Sequence, residues 1–157
     1  MKKILTCLFL FTFVSCQKEE DCCDIIDVDV VIIYENEKGE DLLNPENEAS
    51  FDHDDIKIYF DVGGNKEYAY QGNLDYPNFH YVNQDADGKY HLVVYANTEL
   101  VNQKSVTFIE LNESTTDTLR LIFKTPNQSL ITEKIWYNGE LKFPTSMSEG
   151  KVIKVKK

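Results

Sequence analysis

Apolar and polar residues alternate with a period of two through most of this chain, in short segments. Such alternation places every second side chain on one face of an extended strand, so that one face is buried and the other is exposed. Turn-forming residues separate the segments at roughly ten-residue spacing, and helical periodicity is almost absent. The segments that predict strands are 25–34, 56–62, 66–71, 79–82, 90–96, 105–111, 117–124, 130–137, 140–143 and 151–155.

The alternation also predicts which side chains form the core. In segment 117–124, Leu119, Leu121 and Phe123 face inward, whereas Arg120 and Lys124 face outward. In the first two segments the predicted inward side chains are Ile26, Val28, Val30, Ile32, Tyr34, Ile56, Ile58, Phe60 and Val62.

Three turn signals connect neighbouring segments into hairpins. They are Gly63-Gly64-Asn65, the run 85–88 and Asn138-Gly139. Asn-Gly is the strongest of these signals, because both central residues of the favoured hairpin turn need positive φ. The acidic stretch 36–54 contains no strand pattern, and we expect it to form a loop with at most one helical turn.

These patterns predict an all-β domain, an antiparallel two-sheet β-sandwich over residues 25–157. An immunoglobulin-like and a prealbumin-like arrangement both fit, and a small closed β-barrel is the alternative. The chain has 157 residues, 42% of them apolar, which suits one domain with a substantial core.

The first residues are typical of a secretion signal. Lys2 and Lys3 precede an apolar run over 4–14, and Ser15 and Cys16 follow it. The run is too short to span a bilayer as an ordinary helix and has the size of a signal-peptide core. We therefore expect residues 1–15 to be a signal peptide and residues 16–24 to be an acidic tether.

Residues 13–16 (FVSC) resemble the lipobox of bacterial lipoproteins, although Phe13 departs from the usual Leu. This resemblance implies that Cys16 carries a lipid and becomes the first residue of the mature chain. The next residues resemble the surface-export signal of lipoproteins from the Bacteroidota, which predicts display on the outer face of the outer membrane. That signal comprises Gln17, Lys18, Glu19, Glu20 and Asp21.

Charge is distributed unevenly along the chain. Residues 16–62 carry 16 acidic and three basic side chains, whereas residues 63–157 carry eleven of each. The net charge of −11 argues against a nucleic-acid partner, because phosphate contacts need Lys and Arg. Cys22 and Cys23 are adjacent in the tether, where free thiols and a bridge to a partner are both open.

Two longer patterns resemble those of small, uncharacterised lipoproteins of the Bacteroidota. The first is 41–45 (DLLNP) followed by the strand at 56–60, and the second is 116–119 (TDTL) followed by 134–139 (KIWYNG). The resemblance implies a β-rich outer-membrane lipoprotein and brings no known activity or catalytic residues.

The sequence contains no recognisable catalytic set, and we expect a protein without enzymatic activity or cofactor. There is no GxSxG element and no phosphate-binding glycine loop before a helix. His80 and His91 flank the 85–88 turn and would approach each other as metal ligands only with opposite pairing. His53, between acidic neighbours, is interpreted as part of an exposed loop.

Asn83, Asp85 and Asp87 have the spacing of oxygen ligands at the start of a calcium loop. In an EF-hand the twelfth loop position holds a bidentate Glu, and here that position is Val94. The same residues also suit a hairpin turn, which is the favoured interpretation. A calcium-binding module and a hydrolase remain the less favoured functions.

Tyrosines and phenylalanines are concentrated between residues 59 and 95. Most such rings pack in cores and on sheet faces, but exposed ones bind sugars or protein partners. Tyr70, Tyr76 and Tyr81 are the candidate binding residues. We therefore expect a lipid-anchored binding or accessory protein for a glycan or protein, or alternatively a structural envelope or adhesin component.

Overall fold

The computed structural model describes residues 24–145 and 150–157, and this part of the chain is nearly all β, with no α-helix. The strands are β1 (Ile26–Asp27), β2 (Asp29–Glu35), β3 (Lys57–Val62), β4 (Asn65–Tyr68), β5 (His80–Gln84), β6 (Tyr90–Tyr95), β7 (Lys104–Asn112), β8 (Thr115–Lys124), β9 (Leu130–Tyr137), β10 (Glu140–Phe143) and β11 (Val152–Lys156). Two single 3₁₀ turns, His53–Asp55 and Pro126–Gln128, complete the regular structure of this part.

The strands form two sheets that pack against each other. The larger has the order β1-β9-β8-β7-β3-β4, with β10 also pairing with β9, and it curls into a half-barrel. The smaller has the order β11-β2-β6-β5. The predicted two-sheet β fold is confirmed.

Two pairings depart from the predicted antiparallel pattern, since β1 runs parallel to β9 and β11 runs parallel to β2. The prediction of one strand over 25–34 is also wrong. The chain changes sheets at Val28, so β1 joins the larger sheet and β2 the smaller one. Ile26, predicted to lie in the core, is 67% exposed because β1 lies at the edge of the larger sheet.

The core lies between the inner faces of the two sheets, and the remaining alternation is confirmed there. Ile32 and Leu92 from the smaller sheet and Ile58, Leu121 and Phe123 from the larger one are fully buried. The prediction for Phe60 and Val62 is less exact, since both are only partly buried towards the end of β3. Leu42 and Leu43, from the 36–54 loop, close the core at one end of the sheets.

The hairpin turns form where the sequence predicts them. Asn138 and Gly139 both have positive φ, at 48° and 85°. Gly63 and Gly64 have φ of 60° and 91°, which allows a tight connection between β3 and β4. The second arm of that hairpin ends at Tyr68 rather than at residue 71.

The sandwich has two chemically different ends. At the acidic end, defined as residues 35–55 with the 85–88 turn, the Tyr90 amide donates to the Asp41 carboxylate at 2.8 Å. Residues 35–55 contain nine acidic side chains and one basic side chain. At the opposite end, the Ile25 amide donates to Ser129 Oγ at 3.1 Å and the Phe123 amide to the Gln103 carbonyl at 3.0 Å.

This opposite end, called the Ile25 end below, therefore comprises Ile25, Ile26 and the loops over 97–103 and 125–129. Asn97 connects the sheets there, since its buried side chain donates to the Asp61 carbonyl at 2.9 Å. Residues 24–145 and 150–157 include no helical segment that could span a bilayer.

Replacing Leu121 by Ala should lower the free energy of unfolding by about 2–5 kcal/mol, because it leaves a cavity between the sheets. Leu141→Ala, on the exposed strand β10, is the matched control and should change stability by less than about 0.5 kcal/mol. Urea denaturation followed by circular dichroism measures both values. Equal losses in the two variants would contradict the assigned core.

Candidate functional site

Three tyrosine rings stack on the outer face of the smaller sheet. Tyr81 on β5 and Tyr95 on β6 project from this face, and Tyr76 packs over them from the segment between β4 and β5. The ring centroids of Tyr76 and Tyr81 are 4.2 Å apart, and those of Tyr76 and Tyr95 are 5.8 Å apart. We call Tyr76, Tyr81 and Tyr95 the tyrosine cluster.

The structure thus brings together two of the three predicted binding tyrosines and adds Tyr95. Tyr70 does not join the stack and is 63% exposed. It lies in residues 69–79, called the aromatic loop here, which crosses from the larger sheet to the smaller one. Next to the loop, Tyr68 packs edge-on against Tyr59 and donates from its hydroxyl to Asn78 Oδ1 at 3.3 Å.

The aromatic loop is held at both ends and across its middle. The Ala69 amide donates to the Ile58 carbonyl at 2.9 Å, and the Gln71 amide donates to the Pro77 carbonyl at 2.8 Å. Phe79 has a φ of 59°, and its ring packs edge-on against Phe60 with centroids 4.9 Å apart. This positive φ lets the chain turn its aromatic side chain inward just before β5. The exposed rings are therefore carried on a folded loop.

Charged groups border the tyrosine cluster. Burial raises the pKa of Tyr95, and neighbouring Tyr81, Tyr76 and then Asp29 raise it further. Lys151 donates to Asp29 at 3.0 Å and also contacts the Asp27 carboxylate. One edge of the tyrosine cluster is therefore lined by two carboxylates whose charge is partly neutralised by a lysine.

The predicted oxygen ligands around the 85–88 turn serve as turn-forming groups. Asp85 Oδ1 accepts hydrogen bonds from the amides of Asp87 and Lys89, both at 2.9 Å. These amide donors, with Lys89 first, hold the pKa of the Asp85 carboxyl below its usual value. Its other oxygen lies 3.0 Å from Nε2 of His91. Asn83 is paired with His91 across β5 and β6.

The three histidines do not converge. His80 pairs with Val94 and His91 with Asn83, so their side chains project from opposite faces of the smaller sheet. A shared metal required His80 and His91 to lie directly opposite each other on neighbouring strands, and this condition is therefore not met. Burial lowers the pKa of His80.

His53 donates from Nε2 to the Leu43 carbonyl at 2.7 Å, which holds the end of the 36–54 loop against the buried Leu43 of the same loop. Among residues 24–145 and 150–157, no three His, Cys, Asp or Glu side chains are arranged to hold a metal ion.

A buried carboxylate that the sequence patterns did not single out lies between the sheets. Asp117 on β8 is 1% exposed and accepts from the hydroxyls of Tyr34 and Tyr137. Its other oxygen accepts from Asn138 Nδ2 at 2.7 Å and from Lys157 Nζ at 2.5 Å. Four donors therefore satisfy one carboxylate, and the lysine balances its charge.

This cluster gives a structural role to two of the short sequence motifs. Asp117 comes from 116–119 (TDTL), and Tyr137 and Asn138 come from 134–139 (KIWYNG). In the motif 41–45 (DLLNP), Asp41 caps the 36–54 loop by accepting from the amides of Leu43 and Tyr90. The motifs thus supply polar contacts that join loops and sheets. The sequence signal for the buried carboxylate was an Asp at an inward-facing position of the alternating strand 117–124.

Cys16, the predicted export residues 17–21 and the adjacent Cys22 and Cys23 lie outside the described residues. The fold and surface define a two-sheet all-β protein with a folded, tyrosine-bearing loop. Neither a protein-family model nor a curated protein matches this chain, and no solved structure matches its fold.

The buried tyrosines should make the protein sensitive to alkaline pH. Burial, followed by the charge of Asp117, raises the pKa of Tyr34 well above 10. Burial, followed by Tyr34 and Asp117, raises the pKa of Tyr137 well above 10. The unfolded state ionises first as the pH rises through about 10, so stability falls by up to about 1.4 kcal/mol per pH unit for each tyrosine.

Urea denaturation between pH 8 and pH 11 measures this slope, with pH values chosen around the ordinary tyrosine pKa of about 10. The double variant Tyr34→Phe/Tyr137→Phe should be less stable at pH 8 but have a shallower alkaline slope. Tyr70→Phe, which removes an exposed hydroxyl, should retain the original slope. An unchanged slope in the double variant would contradict the assignment.

Proposed function

We propose that this chain is a non-catalytic binding protein, held at the outer membrane by a lipid on Cys16 and displayed on the cell exterior. Support for the anchor comes from the order of two lysines, an apolar run, Ser15 and Cys16. Support for surface display comes from the acidic run 17–21 directly after Cys16.

The observation that carries the binding role is the concentration of exposed apolar side chains in and beside the aromatic loop. Of the eight large hydrophobic side chains exposed in the described residues, four lie within residues 68–76. They are Tyr68, Tyr70, Leu74 and Tyr76. Exposed apolar residues are normally scattered, and a cluster of them indicates an interaction surface.

The chemistry of this surface suits a ligand with flat apolar faces and polar edges. Tyrosine offers a ring for stacking and a hydroxyl for hydrogen bonding, and its side chain loses little entropy when it is held. The loop is already folded by its own backbone hydrogen bonds, so binding requires little additional ordering. Glycans and protein surfaces both offer apolar faces bordered by polar groups.

A non-catalytic role is supported by the positions of the reactive groups. Asp117, a deeply buried carboxylate, is enclosed by its four donors and cannot reach a substrate. His80 and His91 project from opposite faces of their sheet, and His53 is held by the Leu43 carbonyl. Within residues 24–145 and 150–157, none of these histidines is hydrogen-bonded to a Ser, Thr or Cys nucleophile, as an acyl-transfer site requires.

A structural envelope or adhesin component that binds another protein is the second candidate. The exposure of Leu74, at 41%, favours this role, because an aliphatic side chain adds apolar area to a protein interface but offers no ring for a sugar. The two candidates differ in which substitutions weaken binding.

Removing the rings of this surface should weaken binding without unfolding the domain. Tyr70→Ala, Tyr76→Ala and Tyr81→Ala should each weaken binding by about 30-fold, the effect of losing an interface hot spot of about 2 kcal/mol. Binding is measured on a glycan panel and on a panel of purified cell-surface proteins. Variants that lose stability yet retain every detected interaction would overturn the assignment of this surface.

The matched controls are two leucines of equal exposure, Leu74 at 41% in the aromatic loop and Leu141 at 42% on β10. Leu141→Ala should leave binding unchanged. Leu74→Ala should weaken binding to a protein partner and leave binding to a glycan nearly unchanged. A similar effect of both leucine variants would indicate that the aromatic loop is not the binding surface.

Neutralising the acidic run should prevent display on the cell surface. Intact cells that produce the wild type should be labelled by antibody and shaved by protease. Cells that produce the variant Lys18→Gln/Glu19→Gln/Glu20→Gln/Asp21→Asn should be neither labelled nor shaved, although the protein is lipidated. Labelling of both would contradict the export signal, and labelling of neither would place the protein on the periplasmic face.

A further inference from the structure

The exposed aliphatic side chains outside the aromatic loop are not randomly placed. Ile25, Ile26 and Val101 are 57–67% exposed, and all three belong to the Ile25 end of the sandwich. Leu141, on β10, is the only other large apolar side chain that is exposed among the described residues outside 68–76. An apolar group of this kind at one end of a domain requires an explanation.

Strand registers show that these side chains share one end of the larger sheet. Ile26 pairs with Leu130 at the start of β9, and Lys124, at the end of β8, pairs with Ile131. Val101 forms an isolated bridge with Lys104, at the start of β7. Because β7, β8, β9 and β1 are successive neighbours, Val101 and Ile26 are separated by roughly 14 Å along this end.

Charge distinguishes the Ile25 end from the acidic end. Residues 24–27, 97–104 and 124–129 contain three acidic and two basic side chains, so this end is close to neutral. Residues 35–55, at the opposite end, contain nine acidic side chains and one basic side chain. An anionic bilayer surface would repel the acidic end and tolerate the other.

The length of chain before the domain points the same way. Eight residues lie between Cys16 and Ile25, so a lipid on Cys16 lies within about 30 Å of Ile25. The eight residues of β9 span about 27 Å from the Ile25 end towards the acidic end. If the acidic end lay on the membrane, the tether would therefore have to run fully extended along the whole length of the domain.

We propose that the Ile25 end rests on the lipid bilayer, with Ile25, Ile26 and Val101 inserted at headgroup level and the acidic end directed away from the membrane. This orientation rests on the proposed lipidation of Cys16. Lys104 and Lys124 lie at the level of the lipid phosphates, where Lys104 contributes electrostatic attraction and Lys124 is paired with Glu133 at 3.5 Å. The bilayer is thus a second binding partner of the folded domain, in addition to its attachment through the acyl chains.

Fluorescence quenching by brominated lipid tests the orientation. The full lipidated chain with Trp136→Phe receives one new tryptophan, either Val101→Trp at the Ile25 end or Asp87→Trp at the acidic end. Each protein is incorporated into phosphatidylethanolamine–phosphatidylglycerol vesicles with and without brominated acyl chains. The residue at 101 should lose about half of its emission, because side chains at the interface reach the acyl boundary, and the residue at 87 should lose almost none.

Flotation of the same vesicles separates the two proposals. A chain that does not float lacks the anchor, which overturns both the proposed lipidation and this orientation. A chain that floats and is quenched equally at 101 and 87, or more strongly at 87, retains its anchor and overturns the orientation alone. Ile26→Trp, at a second exposed position of the same end, repeats the test if Val101→Trp disturbs its loop.

Discussion

The structure depends on the burial of one face of each sheet against the other. Alternating strands supply a largely apolar interior, with Ile32 and Leu92 facing Ile58, Leu121 and Phe123. Each of these side chains contributes about 1.5–3 kcal/mol when it is removed from water. Neither sheet could remain folded alone, because its apolar face would be left in solvent. The loops, surfaces and polar clusters are arranged around this apolar layer.

Within that layer, a few polar contacts determine how the sheets are aligned. Hydrophobic burial is non-directional and would tolerate sliding of one sheet over the other. Asp117 accepts from Tyr34 of the opposite sheet and from Lys157, so its geometry is correct in one alignment only. Asn97 has the same role at the Ile25 end, where it bonds to the Asp61 carbonyl.

Much of the fold could be predicted from the sequence because alternation and turn chemistry are local properties. The 140–143 strand and the Asn138-Gly139 turn were predicted with their exact bounds. The sheet exchange at Val28 could not be predicted, since the alternation continues through it and only long-range pairing with Leu130 draws Ile26 away. The tyrosine cluster was found in part. Tyr95 was missed because its partnership with Tyr76 and Tyr81 depends on a loop that folds back over the sheet.

The parallel pairing of β11 with β2 has a consequence for the order in which this protein assembles. Val152 pairs with Val31, so a central strand of the smaller sheet acquires its second neighbour from more than a hundred residues along the chain. Contacts of such long range form late and slowly. A chain exported with its N-terminus leading would carry β2 across the membrane long before β11 follows it. During that interval β2 would have an open edge, and the protein would remain in an unfinished, translocation-competent state until residues 152–157 arrive.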